Sequence, residues 1–123
     1  MVAKERGVPG VALVIGAVCG IGFEVARQFA RRGMMVILGA RDAENGETAT
    51  EELAGTVDVA EGEGLKGSPG VEEEFGSLDV VVNNAAVFLD WSETASTADP
   101  ESSPAVLDTD LFGAWRVAKG SCP

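Results

Sequence analysis

The chain has 123 residues, with 9 Lys and Arg against 20 Asp and Glu, a formal net charge of −11, and no His. That length suits one domain with a modest core, and a surface this acidic repels phosphate polymers, which argues against nucleic-acid binding. Without His the chain lacks the commonest general base and metal ligand, so no metal site is expected.

Taken in chain order, "VALVIG" (11–16) is an apolar run closed by Gly16, the signature of a strand buried on both faces. "GIGFEVARQFARRG" (20–33) has helical period, with Ile21, Val25 and Phe29 on one face and Gly33 as its stop. "MMVILGA" (34–40) is a second buried strand, "DAENGETATEELAG" (42–55) a weaker helix, and "TVDVA" (56–60) a short strand. Residues 61–70 carry repeated glycines and Pro69, so a loop is expected there, with a helical turn or two at 71–75. "SLDVVVN" (77–83) is a fourth strand. After a polar loop, "SPAVLDTDLFGAWRVAKG" (103–120) reads as a last helix. Its N-cap is Ser103, and Leu107, Leu111, Ala114 and Val117 or Ala118 form its apolar face.

Strands alternating with helices predict an α/β fold: a Rossmann-like parallel sheet in the order 3-2-1-4, with helices on both faces. Residues 1–123 are expected to form one domain. No apolar run reaches the ~18 residues of a membrane span, and "MVAKERGVPG" lacks a signal-peptide core. A soluble cytoplasmic protein without a membrane partner is expected, with Cys19 and Cys122 as free thiols.

The glycines Gly16, Gly20 and Gly22 sit where the first strand hands over to the first helix. Gly16 lets the chain turn, Gly20 admits a pyrophosphate close to the backbone, and Gly22 lets the helix approach the sheet. The free N–H groups and dipole of the helix then face the phosphates. The loop has no Gly-Lys-Ser/Thr ending, so it is not a nucleoside-triphosphate P-loop.

"ALVIGAVCGIGFEVARQFARRG" resembles the start of a short-chain dehydrogenase/reductase, a family with a Thr-Gly-x-x-x-Gly-x-Gly loop. "GARD" (39–42), "DV" (58–59), "NNAA" (83–86) and "LDTDLFGAW" (107–115) fit the same family, in the same order. The resemblance implies an NAD(P)-dependent oxidoreductase lineage. It places Gly16, Val18, Cys19, Gly20, Ile21 and Gly22 around the pyrophosphate and ribose. It gives Asp58 and Val59 to the adenine, and Asn83 and Ala85 to the ribose beside the nicotinamide. Read from the residues alone, Asp58 could simply end a strand, and Asn83-Asn84 could simply form a turn.

Cofactor choice turns on Ala40-Arg41. NAD-preferring members carry an acid at the end of strand two, whereas here Ala40 stands there and Arg41 follows. A guanidinium suits a 2′-phosphate, so NADP(H) is favoured, with NAD possible. A methyltransferase also uses a glycine loop after its first strand, but commonly with an acid after the second.

The family's Ser-Tyr-Lys catalytic group has no counterpart: the chain contains no Tyr, and Asp110 occupies the position of the tetrad Asn. Ile15 replaces the loop Thr, and Ala86 the last Gly of Asn-Asn-Ala-Gly. The chain thus resembles the N-terminal cofactor-binding half of the family, truncated after the fourth strand and following helix. The expected alternatives are an inactive dinucleotide-binding or interaction module, or a non-functional truncated product. Self-association is expected through the exposed fourth strand or the last helix.

Overall fold

The computed structural model describes residues 10–54, 59–61, 68–88, 96–97 and 99–121. Four strands form one parallel sheet: β1 (Val11–Ile15), β2 (Met35–Gly39), β3 (Val59–Glu61) and β4 (Val80–Asn83). Their order is β3-β2-β1-β4, the 3-2-1-4 order expected from the sequence. Val14 of the central strand lies opposite Leu38 of β2 and Val82 of β4.

Side chains alternate across a strand, so each strand serves two cores. On one face Val14, Val36 and Leu38 pack against α1 (Gly20–Arg31) and α2 (Ala43–Ala54) through Ala26, Ala30, Ala49 and Leu53. On the other, Val11, Leu13 and Ile37 pack with Phe75 from α3 (Ser68–Phe75) and with Leu78. Fully burying one such side chain, Leu53 for example, stabilises the fold by roughly 2 kcal/mol.

Helix α1 meets the sheet through its smallest residues, Gly22, Ala26 and Ala30. The expectation that Ile21 shares the buried face is corrected here: Ile21 is 77% exposed. Small side chains let the helix lie close to the strands, which turns Ile21 outward. The helix ends in a Schellman motif, in which Gly33 N–H donates to the Ala30 carbonyl and Met34 N–H to that of Phe29. On the solvent side, hydrogen bonds from Arg27 and then Gln28 hold the Glu24 carboxyl down to about 2.

Three other boundaries differ from the sequence reading. Helix α3 starts at Ser68, earlier than expected, because proline and glycine are tolerated in a first turn, whose N–H groups have no partner within the helix. The last helical stretch has Ser102, not Ser103, at its N-cap. It comprises α4 (Ser103–Leu107), a π-helical segment (Asp108–Gly113) and α5 (Ala114–Ser121). Of the expected apolar face, Ala114 and Val117 are half-buried but Leu107 and Leu111 are exposed, as are the neighbouring Phe112 and Trp115. Helix α5 lies against α3 and β4. Among the described residues β4 pairs only with β1, so its other edge is open. No helix among them is long and apolar enough to cross a membrane.

Candidate functional site

The site forms where β1 and β4 end side by side. Gly16 leaves β1 with φ +74°, a left-handed conformation that most residues avoid. Its N–H donates to the Gly39 carbonyl at 2.9 Å, which ties the loop to the end of β2. A Cβ at Gly16 would stand 2.7 Å from Ala85 Cα, so the chain leaving β4 presses directly on it. A Cβ at the buried Gly22 would strike the Gly16 carbonyl oxygen and stand 2.5 Å from Asn84 Nδ2.

Asn84 closes this arrangement. Its side-chain amide donates to the Gly16 carbonyl at 2.9 Å, while its backbone N–H donates to the Ile15 carbonyl at 3.1 Å. The first glycine, the third glycine and the end of β4 are thereby held in one cluster. Gly20 lies outside that cluster, and a Cβ added to it would meet no heavy atom within 4 Å. Cys19, in extended conformation, is the N-cap of α1, and the first turn of that helix carries no acid. The helix therefore presents its partial positive charge to open space.

A cleft of about 570 Å³ opens beside the loop. Of the residues singled out in the sequence, Gly16, Val18, Cys19, Arg41 and Ala85 line it. Gly20 and Ile21 are exposed beside it on the first turn of α1, with Gly22 packed beneath the loop. Asn83 is not in the lining; its amide donates to the Ala114 carbonyl at 3.3 Å. Asp110 is exposed in the π-helical segment, and its Oδ1 accepts a 2.8 Å hydrogen bond from Val87 N–H. Val59 begins β3, and Asp58 and Cys122 lie outside the described residues.

Sequence reasoning missed Asn84, Asn45, Ala86 and Thr109, which also line the cleft. The signal for Asn84 is its place beside Asn83 in "NNAA". Arg41 is exposed and makes no ion pair among the described residues. No group of three potential metal ligands occurs among them.

The close packing under the loop has a measurable consequence. Gly22→Ala is expected to destabilise the chain by about 1–3 kcal/mol, because the new methyl must displace the Gly16 carbonyl or Asn84. Ile21→Ala next to it should change stability by less than about 0.5 kcal/mol. Chemical denaturation of both variants checks this, and equal stabilities would contradict the packing described.

Comparison with known proteins agrees with this architecture. Residues 10–123 match the family model described as short chain dehydrogenase. The chain is 32% identical over 123 residues to carbonyl reductase [NADPH] 1 of Mus musculus, covering 92% of this chain and 44% of that protein. It superposes on L-sorbose reductase of Gluconobacter frateurii, complexed with NADPH and L-sorbose, with TM-score 0.75 and 30% identity, covering 93% of this chain and 47% of that one. An alcohol dehydrogenase of Thermococcus sibiricus, complexed with 5-hydroxy-NADP, superposes with TM-score 0.76 and 32% identity, covering 89% and 50%. The chain thus spans about half the length of these relatives. With the glycine loop, the parallel sheet order and the family match in agreement, this chain belongs to the short-chain dehydrogenases and corresponds to their N-terminal half.

Proposed function

We propose that the cleft binds a nicotinamide dinucleotide, with NADP(H) favoured over NAD(H), and that residues 1–123 act as one dinucleotide-binding domain. The observation that carries this reading is the glycine loop. It is clamped at Gly16 and Gly22, open at Gly20, and set before a helix whose first turn bears no acid. The pyrophosphate would lie against Gly20 and Ile21 at the N-terminus of α1, with Val18 and Cys19 beside it. Ala85 would border the ribose next to the nicotinamide, with Asn83 behind it; Asp58 and Val59 would serve the adenine. Bound there, the dinucleotide supplies hydride-transfer chemistry. The protein's part is to hold and orient it.

Arg41 supports the preference. It follows Ala40, where an acid would bind the ribose hydroxyls, and its guanidinium is not engaged by a carboxylate among the described residues. A charge-assisted hydrogen bond is worth roughly 1.5–3 kcal/mol, so NADPH should bind about tenfold or more tightly than NADH. Arg41→Ala should remove most of that difference in a fluorescence titration. Equal affinity of the unaltered chain for both cofactors would overturn the assignment.

The 123-residue chain is proposed to lack turnover by itself, since it contains no Tyr to act as proton donor. Asp110 stands at the family's tetrad Asn position, but an ionised carboxylate cannot donate the hydrogen bond an amide would. With a panel of alcohols and ketones, nicotinamide absorbance should stay at background. Substrate-dependent oxidation or reduction in a reductase-free preparation would contradict this.

An interaction role is the second reading, favoured by the open edge of β4 and the exposed Leu111, Phe112 and Trp115. Val80, Val81 and Val82 have high strand propensity, and this edge carries no Lys or Pro. Sedimentation across a concentration series should show mass rising through self-association, with hydrogen exchange locating the contact at β4 or at the α4–α5 surface. A strictly monomeric series would rule this out.

A further inference from the structure

We propose that this chain holds the dinucleotide by its adenosine and phosphates alone and leaves the nicotinamide end unheld. Its ligand class is then the 2′-phosphorylated adenosine diphosphates, with or without a nicotinamide. The inference rests on the cofactor reading above and narrows it. The sheet order sets β2 and β4 on opposite sides of β1, so the cleft runs from the turn after β2, past the glycine loop, to the turn after β4. Its two ends differ in what they offer a ligand.

At the β2 end, Arg41 is the one base in the lining among the described residues, and no ion pair among them engages it. In the middle, Gly20 has open space around it at the N-terminus of α1, whose first turn carries no acid. Both features attract phosphate. At the β4 end the polar side chains are engaged within the protein. Asn83 donates to the Ala114 carbonyl at 3.3 Å, Asn84 donates to the Gly16 carbonyl at 2.9 Å, and Asp110 accepts from Val87 N–H at 2.8 Å. The rest of that wall is Ala85, Ala86 and the neutral Thr109. The bases of the last helical stretch have other partners: Arg116 pairs with Asp108 at 2.8 Å, and Lys119 Nζ lies 5.5 Å from the centre of the Trp115 ring. Neither lines the cleft. Affinity comes only from contacts that outweigh the cost of ordering a group, and the nicotinamide gains none of that kind here.

The test titrates the unaltered 123-residue chain by calorimetry with NADPH, with 2′-phospho-ADP-ribose and with reduced nicotinamide mononucleotide. The second probe carries the same phosphates as NADPH and lacks only the nicotinamide ring. It should bind within about threefold of NADPH, since at most one neutral hydrogen bond separates the two. The mononucleotide should neither bind nor displace NADPH at about 1 mM, the concentration at which even a weak site fills. NADPH binding tighter than 2′-phospho-ADP-ribose by more than about threefold, or saturable binding of the mononucleotide in the cleft, would overturn the proposal. If neither NADPH nor 2′-phospho-ADP-ribose binds, the cofactor reading fails and this inference falls with it. If NADPH binds and removing the nicotinamide weakens it beyond that margin, only this inference fails.

Discussion

The site depends on the close approach of Gly16 to the backbone leaving β4. That approach leaves no space for a side chain at Gly16 or at Gly22, and the Asn84 amide bonds across it to the Gly16 carbonyl. The loop is therefore set by its neighbours rather than by its own flexibility. Parallel pairing of β1 with β4 brings these residues together, since Ile15 and Asn83 are register partners at the ends of the two strands. The cleft opens at the carboxyl ends of the strands, where open α/β sheets place their ligands. The fold and the proposed dinucleotide site thus have one geometric cause.

Electrostatics sets a second constraint. A chain with net charge −11 is a poor general host for a phosphorylated ligand. Local arrangement offsets this. The first turn of α1 carries no acid, Arg41 is unpaired with any carboxylate among the described residues, and Asp42 is turned into the start of α2. In the proposed reading, positive potential is confined to the pyrophosphate and 2′-phosphate positions, while the acids of α2 and α3 face solvent.

The readable parts of the sequence were those governed by local rules. β1 and β2 are apolar runs bounded by glycines, and their buried strands lie within a residue or so of expectation. The sheet order was accessible because right-handed crossovers leave few alternatives. The stretch before α3 was harder, since its glycines, proline and acids carry no periodicity, and the helix began earlier than those residues suggested. The stripe of Leu107 and Leu111 looked like a core face because pattern alone does not say whether a partner surface is present. The different places of Asn83 and Asn84 were equally beyond pattern alone. Side chains alternate at the end of a strand, so one residue of register decides which amide faces the loop and which bonds Ala114.

Membership in the short-chain dehydrogenases is clear, while the chain spans about half the length of its relatives. The central claim is that this half alone builds a dinucleotide site from the loop, the end of β2 and the end of β4. The most direct measurement is an amide N–H correlation spectrum of the labelled chain during titration with NADPH. Saturable shifts confined to residues 18–22, 40–42 and 84–86 are expected. No saturable shifts, or shifts confined to the exposed helical surface of residues 107–115, would contradict it.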